Sequence, residues 1–191
     1  MSKELFCIRH GTSQHNNAYL FIGEQAFNEY EDSKLLPSGY TEAQQLGRDW
    51  KKINEIELVI VSPLSRTLET ATQIFKGTNA QIIALDCLIE FPQHQHLCNK
   101  RISKETLNEK YPHVNFDRIA NDLYWDSGRE ESYETLRERV SFSKQWISMR
   151  KEYKIAIVSH SSYLSEFMNK KIDYNKQLKH CYPYEMTLTY L

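Results

Sequence analysis

The chain has 191 residues, room for one sizeable core and little more. Hydrophobic residues make up 40% and charged residues 26%, the balance of a folded globular chain rather than a disordered one. Lys and Arg number 24 against 25 Asp and Glu, a formal net charge of -1, so no global field draws the protein to nucleic acid or anionic lipid.

Apolar, β-rich runs and helical periods alternate along the chain. "ELFCIRH" (4–10) is the first predicted strand, followed by the polar "GTSQHN". Ala43, Leu46, Trp50 and Ile53 then recur at helical spacing, with Ser38 as the expected N-cap. "ELVIVSP" (57–63) is the second strand, and Ser62-Pro63 reads as the start of a helix carrying Leu64, Leu68, Ala71 and Phe75. "QIIAL" (81–85) is the third strand. Tyr133, Leu136, Val140 and Ile147 mark a long helix, "KIAIVSH" (154–160) a fourth strand, and Leu164, Phe167 and Met168 another helix before the closing "MTLTYL". Continuous apolar strands alternating with helices predict a three-layer α/β/α sandwich around a mostly parallel sheet, as a single domain over 1–191. Two stretches, about 17–36 and 87–131, lack periodicity and read as insertions over a site. Their aromatics, Tyr124 and Trp125 included, are expected to pack, and Arg129 to lie on the surface.

The four cysteines, Cys7, Cys87, Cys98 and Cys181, have no paired spacing and read as reduced thiols. The chain opens directly into a strand, with no basic-then-apolar leader. No apolar run approaches the roughly 18 residues of a membrane span. The expectation is a cytoplasmic protein with no membrane or nucleic-acid partner.

In open α/β sheets, ligands bind beyond the carboxyl ends of the strands. Arg9, His10 and Gly11 fall there after the first strand, Arg66 in the helix after the second, and His160 after the fourth. Guanidinium forks match phosphate oxygens, and helix starts after "RHG" and "SHSS" add backbone N–H groups, with Ser161 among the expected substrate contacts. A histidine can carry a phosphoryl group covalently if its attacking nitrogen is unprotonated, and nearby arginines disfavour a second positive charge. Gly11 lets the backbone pass close to the ligand. Ser13 and Asn16 are placed either for phosphate contact or to cap the next helix. Glu90 is the first choice for the acid that protonates the leaving group, ahead of Asp86. The two arginines are expected to hold Glu90 ionised until a phosphate dianion offsets them. His94, His96 and Cys98 alternate, but no second cluster completes a zinc site, so neither metal nor cofactor is expected.

Rival chemistries lack their residues. Six positions after the four cysteines stand Ser13, Gln93, Lys104 and Thr187, where a cysteine phosphatase needs arginine. There is no Gly-x-Ser-x-Gly elbow and no P-loop.

Taken together, "RHGTSQHN", "SPLSRTLETA", "LIE" and "VSHSSYL" resemble the histidine phosphatase superfamily in its phosphoglycerate-mutase-like branch, in order and across nearly the whole chain. The resemblance implies His10 as the phosphorylated nucleophile, Arg9, Arg66 and His160 as the phosphate pocket, and Glu90 as proton donor. Asn16 matches the extended first motif. "PSGYTEAQQLG" is similar to the family's next helix, with Glu42 where glutamine is commoner. "CNKRIS" resembles eukaryotic mutase-like proteins and makes Arg101 a candidate substrate contact beside Lys100. Ser162 departs from the pattern, standing where glycine is frequent. A small phosphorylated substrate is implied, with hydrolysis favoured over mutase-type transfer because the insertion offers few basic anchors. A catalytically silent phospho-ligand module is the further alternative.

Overall fold

A computed structural model describes residues 2–121 and 130–190, so Tyr124, Trp125 and Arg129 lie outside the described residues. In chain order the elements are β1 (Ser2–Arg9), α1 (Gln14–Ile22), α2 (Ala26–Glu29), α3 (Pro37–Asp49), β2 (Leu58–Val61), α4 (Ser65–Ile74) and β3 (Gln81–Ala84). There follow α5 (Lys104–Lys110), β4 (Val114–Asn115), α6 (Tyr133–Ser148), β5 (Lys154–Ser159), α7 (Ser161–Phe167) and β6 (Pro183–Thr189), with short 3-10 turns at Asp86–Leu88 and Leu97–Asn99 among others.

The six strands form one sheet in the order β4-β3-β2-β5-β1-β6, parallel except for β6, which runs antiparallel to β1 along the edge. The period of two that governs strands sorts the core into layers. Phe6, Ile8, Val59, Val61, Ala156 and Val158 pack on one face with Ala43 of α3, Leu68 and Ala71 of α4 and Leu107 of α5. Leu5, Cys7, Leu58, Ile60, Ile155 and Ile157 pack on the other with Leu136 and Val140 of α6 and Leu164 and Phe167 of α7. The expected three-layer architecture is therefore the observed one. Because β5 lies between β2 and β1, the carboxyl ends of the three central strands sit side by side.

Local details differ from expectation. The helix after the first insertion begins at Pro37, with Leu36 rather than Ser38 as N-cap, because proline fits the first helical position at no hydrogen-bonding cost. It stops at Asp49. Trp50 turns extended and packs edge-on against Phe6, ring centres 5.1 Å apart, and Ile53 falls in a 3-10 turn. Ser62-Pro63 does not start α4, whose N-cap is Leu64. The first N–H of that helix is taken instead by a distant side chain: Asp32 accepts from Ser65 N at 2.8 Å and from Ser65 Oγ at 2.7 Å. Asp32 does this from a left-handed backbone (φ 44), which aspartate tolerates better than most residues. The aperiodic stretches hold short helices. Strand β4, only two residues long, extends the sheet edge and carried no readable pattern. All four cysteines are free thiols, and no helix among the described residues is long and apolar enough to cross a membrane.

Candidate active site

Arg9 ends β1 and His10 follows it, its N–H donating to Ser159 O of the neighbouring β5 at 3.0 Å. The side chain then turns back on the chain: His10 Nδ1 lies 2.8 Å from the carbonyl oxygen of Gly11. A carbonyl only accepts, so Nδ1 carries the hydrogen and Nε2 of the neutral ring keeps its lone pair. Burial, aided by Arg66, His160, Arg9 and His180, holds the imidazole well below its usual pKa, so the neutral form prevails.

Gly11 is required by packing within the protein. A Cβ there would stand 2.6 Å from Gly39 O, and one on Gly39 would stand 2.2 Å from Thr12 O. The close approach expected of Gly11 is thus to the first turn of α3. Gly11 N donates to Thr70 Oγ1 of α4 at 3.0 Å, and Thr12 gives both its N–H (2.8 Å) and its O–H (2.7 Å) to Glu42 of α3. The loop bearing His10 is therefore fixed from two helices.

Both arginines are buried, and desolvation lowers each pKa, that of Arg9 to about 10. Arg9 donates from Nη1 to Leu178 O (2.7 Å) and from Nη2 to Gln177 Oε1 (2.5 Å). Arg66 donates from Nη1 to Cys98 O (2.6 Å) and from Nη2 to Asn99 Oδ1 (2.7 Å). His160 follows β5, with Nε2 2.8 Å from Ser62 Oγ and its ring centre 5.2 Å from that of His10. This leaves Arg9 Nε, Arg66 Nε and His160 Nδ1 as buried nitrogens with no hydrogen-bond partner among the described residues. Such atoms are rare, because each one unmatched costs roughly 1–3 kcal/mol.

Glu90 is half-buried against the start of α7. Its Oε1 accepts N–H from Phe91 (2.8 Å) and Tyr163 (3.0 Å), its Oε2 from Ser162 at a longer 3.2 Å. Burial raises its pKa and outweighs both these N–H groups and Arg66. The expected depression by the arginines is thereby corrected: desolvation is the larger effect. The Glu90 segment is held from α6. Arg139 grips Glu131 through Nε (2.6 Å) and Nη2 (3.0 Å) while Nη1 reaches Cys87 O (2.7 Å) and Ile89 O (2.8 Å). Glu131 in turn accepts from Gln93 N at 2.7 Å.

Other expected contacts have internal duties. Asn16 Oδ1 accepts from Ser13 Oγ (2.7 Å) and Ser13 N (3.3 Å), so this pair caps α1. Ser161 Oγ accepts from Leu178 N at 3.0 Å, tying down the segment that holds Arg9. Arg101 is not presented to substrate. Its side chain is fully buried, with Nε 3.2 Å from Asp86 Oδ1 and both terminal nitrogens on the carbonyls of Ile102 and Ala120 at 2.9 Å. The resemblance of "CNKRIS" implies a substrate contact at this position; burial, the ion pair to Asp86 and two carbonyl acceptors make Arg101 a staple of that insertion instead. The same ion pair occupies Asp86. Lys100 pairs with Glu31 at 3.1 Å. His96 packs on Phe27, ring centres 4.7 Å apart, and among the described residues no group of three His, Cys, Asp or Glu is arranged to hold a metal ion.

Sequence reasoning missed His180 and His15. His180 Nδ1 donates to His10 O at 2.5 Å, and its ring centre lies 5.5 Å from that of His10. His15, buried in α1, is 6.2 Å from His10 by the same measure. Nothing local to either residue marks it. His180 arrives only because β6 pairs with β1 and draws the preceding residues alongside Arg9.

A mostly parallel sheet with histidines and arginines gathered at adjacent strand ends defines the phosphoglycerate-mutase-like class of α/β protein. The chain belongs to the histidine phosphatase superfamily (branch 1), whose profile matches residues 5–187. A phosphoglycerate mutase-like protein of Arabidopsis thaliana is 31% identical over 201 residues, covering 85% of this chain and 72% of its own. Among solved structures, the ecdysone phosphate phosphatase of Bombix mori, in complex with tungstate, superposes with a TM-score of 0.68 at 16% identity, covering 97% of this chain and 88% of that one. Bacillus stearothermophilus YhfR gives 0.61 at 21% identity, covering 96% and 89%. These two likenesses speak for the fold.

Proposed function

We propose that the protein is a phosphomonoester hydrolase working through a phosphohistidine on Nε2 of His10. The observation that carries this reading is the Nδ1 contact to Gly11 O, which leaves Nε2 unprotonated among two guanidinium groups and a second histidine. The lone pair of Nε2 attacks phosphorus and the P–O ester bond breaks. Glu90, protonated on the less encumbered Oε2, gives its proton to the departing alkoxide. Water then attacks the phosphohistidine, Glu90 takes the proton back, the P–N bond breaks and phosphate leaves. Arg9 Nε, Arg66 Nε and, with Ser62 donating to Nε2, the Nδ1–H of His160 supply donors for the charge on the transferring group. Positive charge thus comes from side chains, and a chelator is expected to leave the rate unchanged.

Hydrolysis is favoured over mutase transfer because the basic anchor expected for a carboxylated substrate, Arg101, is spent on Asp86 and two carbonyls. Named phosphatases among the structural neighbours support the same choice. In the test, a phosphate ester is mixed with enzyme, quenched, and the intact chain weighed. Wild type should gain one phosphoryl group on His10. His10→Ala should gain none and turn over at least about 10⁴-fold more slowly. Appreciable phosphate release by His10→Ala refutes the covalent route, and no release from any ester by wild type favours a binding module.

A further inference from the structure

A row of rings leads outward from the nucleophile. His10 and His15 are 6.2 Å apart by ring centre, His15 and Phe27 6.1 Å, Phe27 and His96 4.7 Å, and Tyr19 stacks on Phe27 at 5.3 Å. His15 is the only buried residue of α1. Its ring is set by Ser13 Oγ on Nδ1 (3.0 Å) and Asn16 Nδ2 beside Nε2 (3.1 Å). Beyond this anchor the helix ends in four consecutive exposed apolar residues, Tyr19 (46%), Leu20 (77%), Phe21 (78%) and Ile22 (43%). Of these, Tyr19 joins the row through its stack on Phe27, and exposed apolar surface next to a polar site is where such a site binds its ligand. Charge points the same way. The cations of the facing segment are spent, Lys100 on Glu31 and Arg101 on Asp86, and Glu24 beside His96 repels an anionic group.

We propose that Phe27 and His96, with His15 at the inner end and Tyr19 at the outer, form the leaving-group subsite, and that the preferred substrates are phosphate monoesters of apolar, above all aromatic, alcohols. This rests on the hydrolase reading, since the row is a leaving-group wall only if His10 takes the phosphoryl group. In this arrangement an alcohol carrying a ring packs against the row while its phosphorus stands at His10 Nε2.

The experiment compares ethyl, 2-phenylethyl and 3-phosphoglyceric esters. All release primary alcohols, so the demand on Glu90 is similar and differences in kcat/KM report the wall. Burying a phenyl ring there should raise kcat/KM for 2-phenylethyl over ethyl phosphate by about tenfold or more, with 3-phosphoglycerate no better than ethyl phosphate. Phe27→Ala should bring the 2-phenylethyl to ethyl ratio to within about threefold of unity, and Phe27→Leu should restore part of it. Equal rates on all three esters, each abolished by His10→Ala, overturn this inference and leave the hydrolase reading standing. A preference for 3-phosphoglycerate, or a ratio unmoved by Phe27→Ala, overturns it as well. Absence of any His10-dependent phosphate release overturns both readings. Should Phe27→Ala not fold, the wild-type ratio alone decides.

Discussion

Glu90 accepts the backbone N–H of Tyr163 across 73 residues of sequence, so the candidate proton donor is seated on the first turn of the helix that follows the second site histidine. Its pKa is raised while that of His10 is lowered, which poises an acid beside an unprotonated nucleophile. In the free enzyme, kcat/KM should rise as pH climbs through the depressed His10 value and fall as it climbs through the raised Glu90 value, giving an acid-shifted optimum. Glu90→Gln cannot donate a proton. It should lose about 10²–10⁴-fold on alkyl phosphates, little on 4-nitrophenyl phosphate, and the alkaline limb should vanish. Equal losses on both substrates would move the acid role to another residue.

Arg139 touches no reacting atom yet fixes the backbone on either side of Leu88 and pairs with a buried carboxylate. Arg139→Met leaves Glu131 buried without its partner and should cost about 3–5 kcal/mol of stability. In the folded fraction, alkyl phosphates should suffer more than 4-nitrophenyl phosphate, the signature of a displaced Glu90. Denaturant unfolding measures the first effect and the substrate ratio the second. A purely structural role would lower stability and leave the ratio alone.

Gly39→Ala tests the clamp on the His10 loop. The new methyl meets backbone at both Thr12 O (2.2 Å) and Thr12 N (2.9 Å), atoms that cannot swing aside. Overpacking of this kind costs about 1–3 kcal/mol, and displacing His10 by a fraction of an ångström should cut kcat by about 10²-fold. A variant as stable and active as wild type would show that the loop has slack.

Stability should fall as pH drops below neutral. His10, His15 and His160 all have pKa values well below 6.5, so between that value and the folded ones the unfolded chain binds more protons. Each such histidine adds stability that is fully present above about 6.5 and is lost as pH falls, at up to about 1.4 kcal/mol per pH unit. The carboxylates Asp32 and Glu90, with raised values, act in the opposite sense. Comparison with His15→Asn cancels them: between pH 6.5 and 5.5 its slope should be shallower by about 1 kcal/mol per unit. Identical slopes would mean that His15 titrates normally in the fold.

Chain order and apolar runs are enough to set the layers and the strand-end residues. The unbroken apolar runs "LFCI", "LVIV" and "IAIV" dictate strands buried on both faces, and helices between them force parallel pairing, which carries Arg9, Arg66 and His160 to one edge. The partners of polar groups become visible only in the folded molecule, because a hydrogen bond between residues far apart in sequence leaves no local period. Asp32 capping α4, His180 beneath His10 and the Phe27–His96 wall are of this kind. So is the fate of Arg101: the resemblance of "CNKRIS" implies a ligand contact, and burial beside Asp86 makes it structural. The direction of the Glu90 pKa belongs here too, since the arginines are visible in the chain but the desolvation that outweighs them exists only once the fold has closed over the carboxyl.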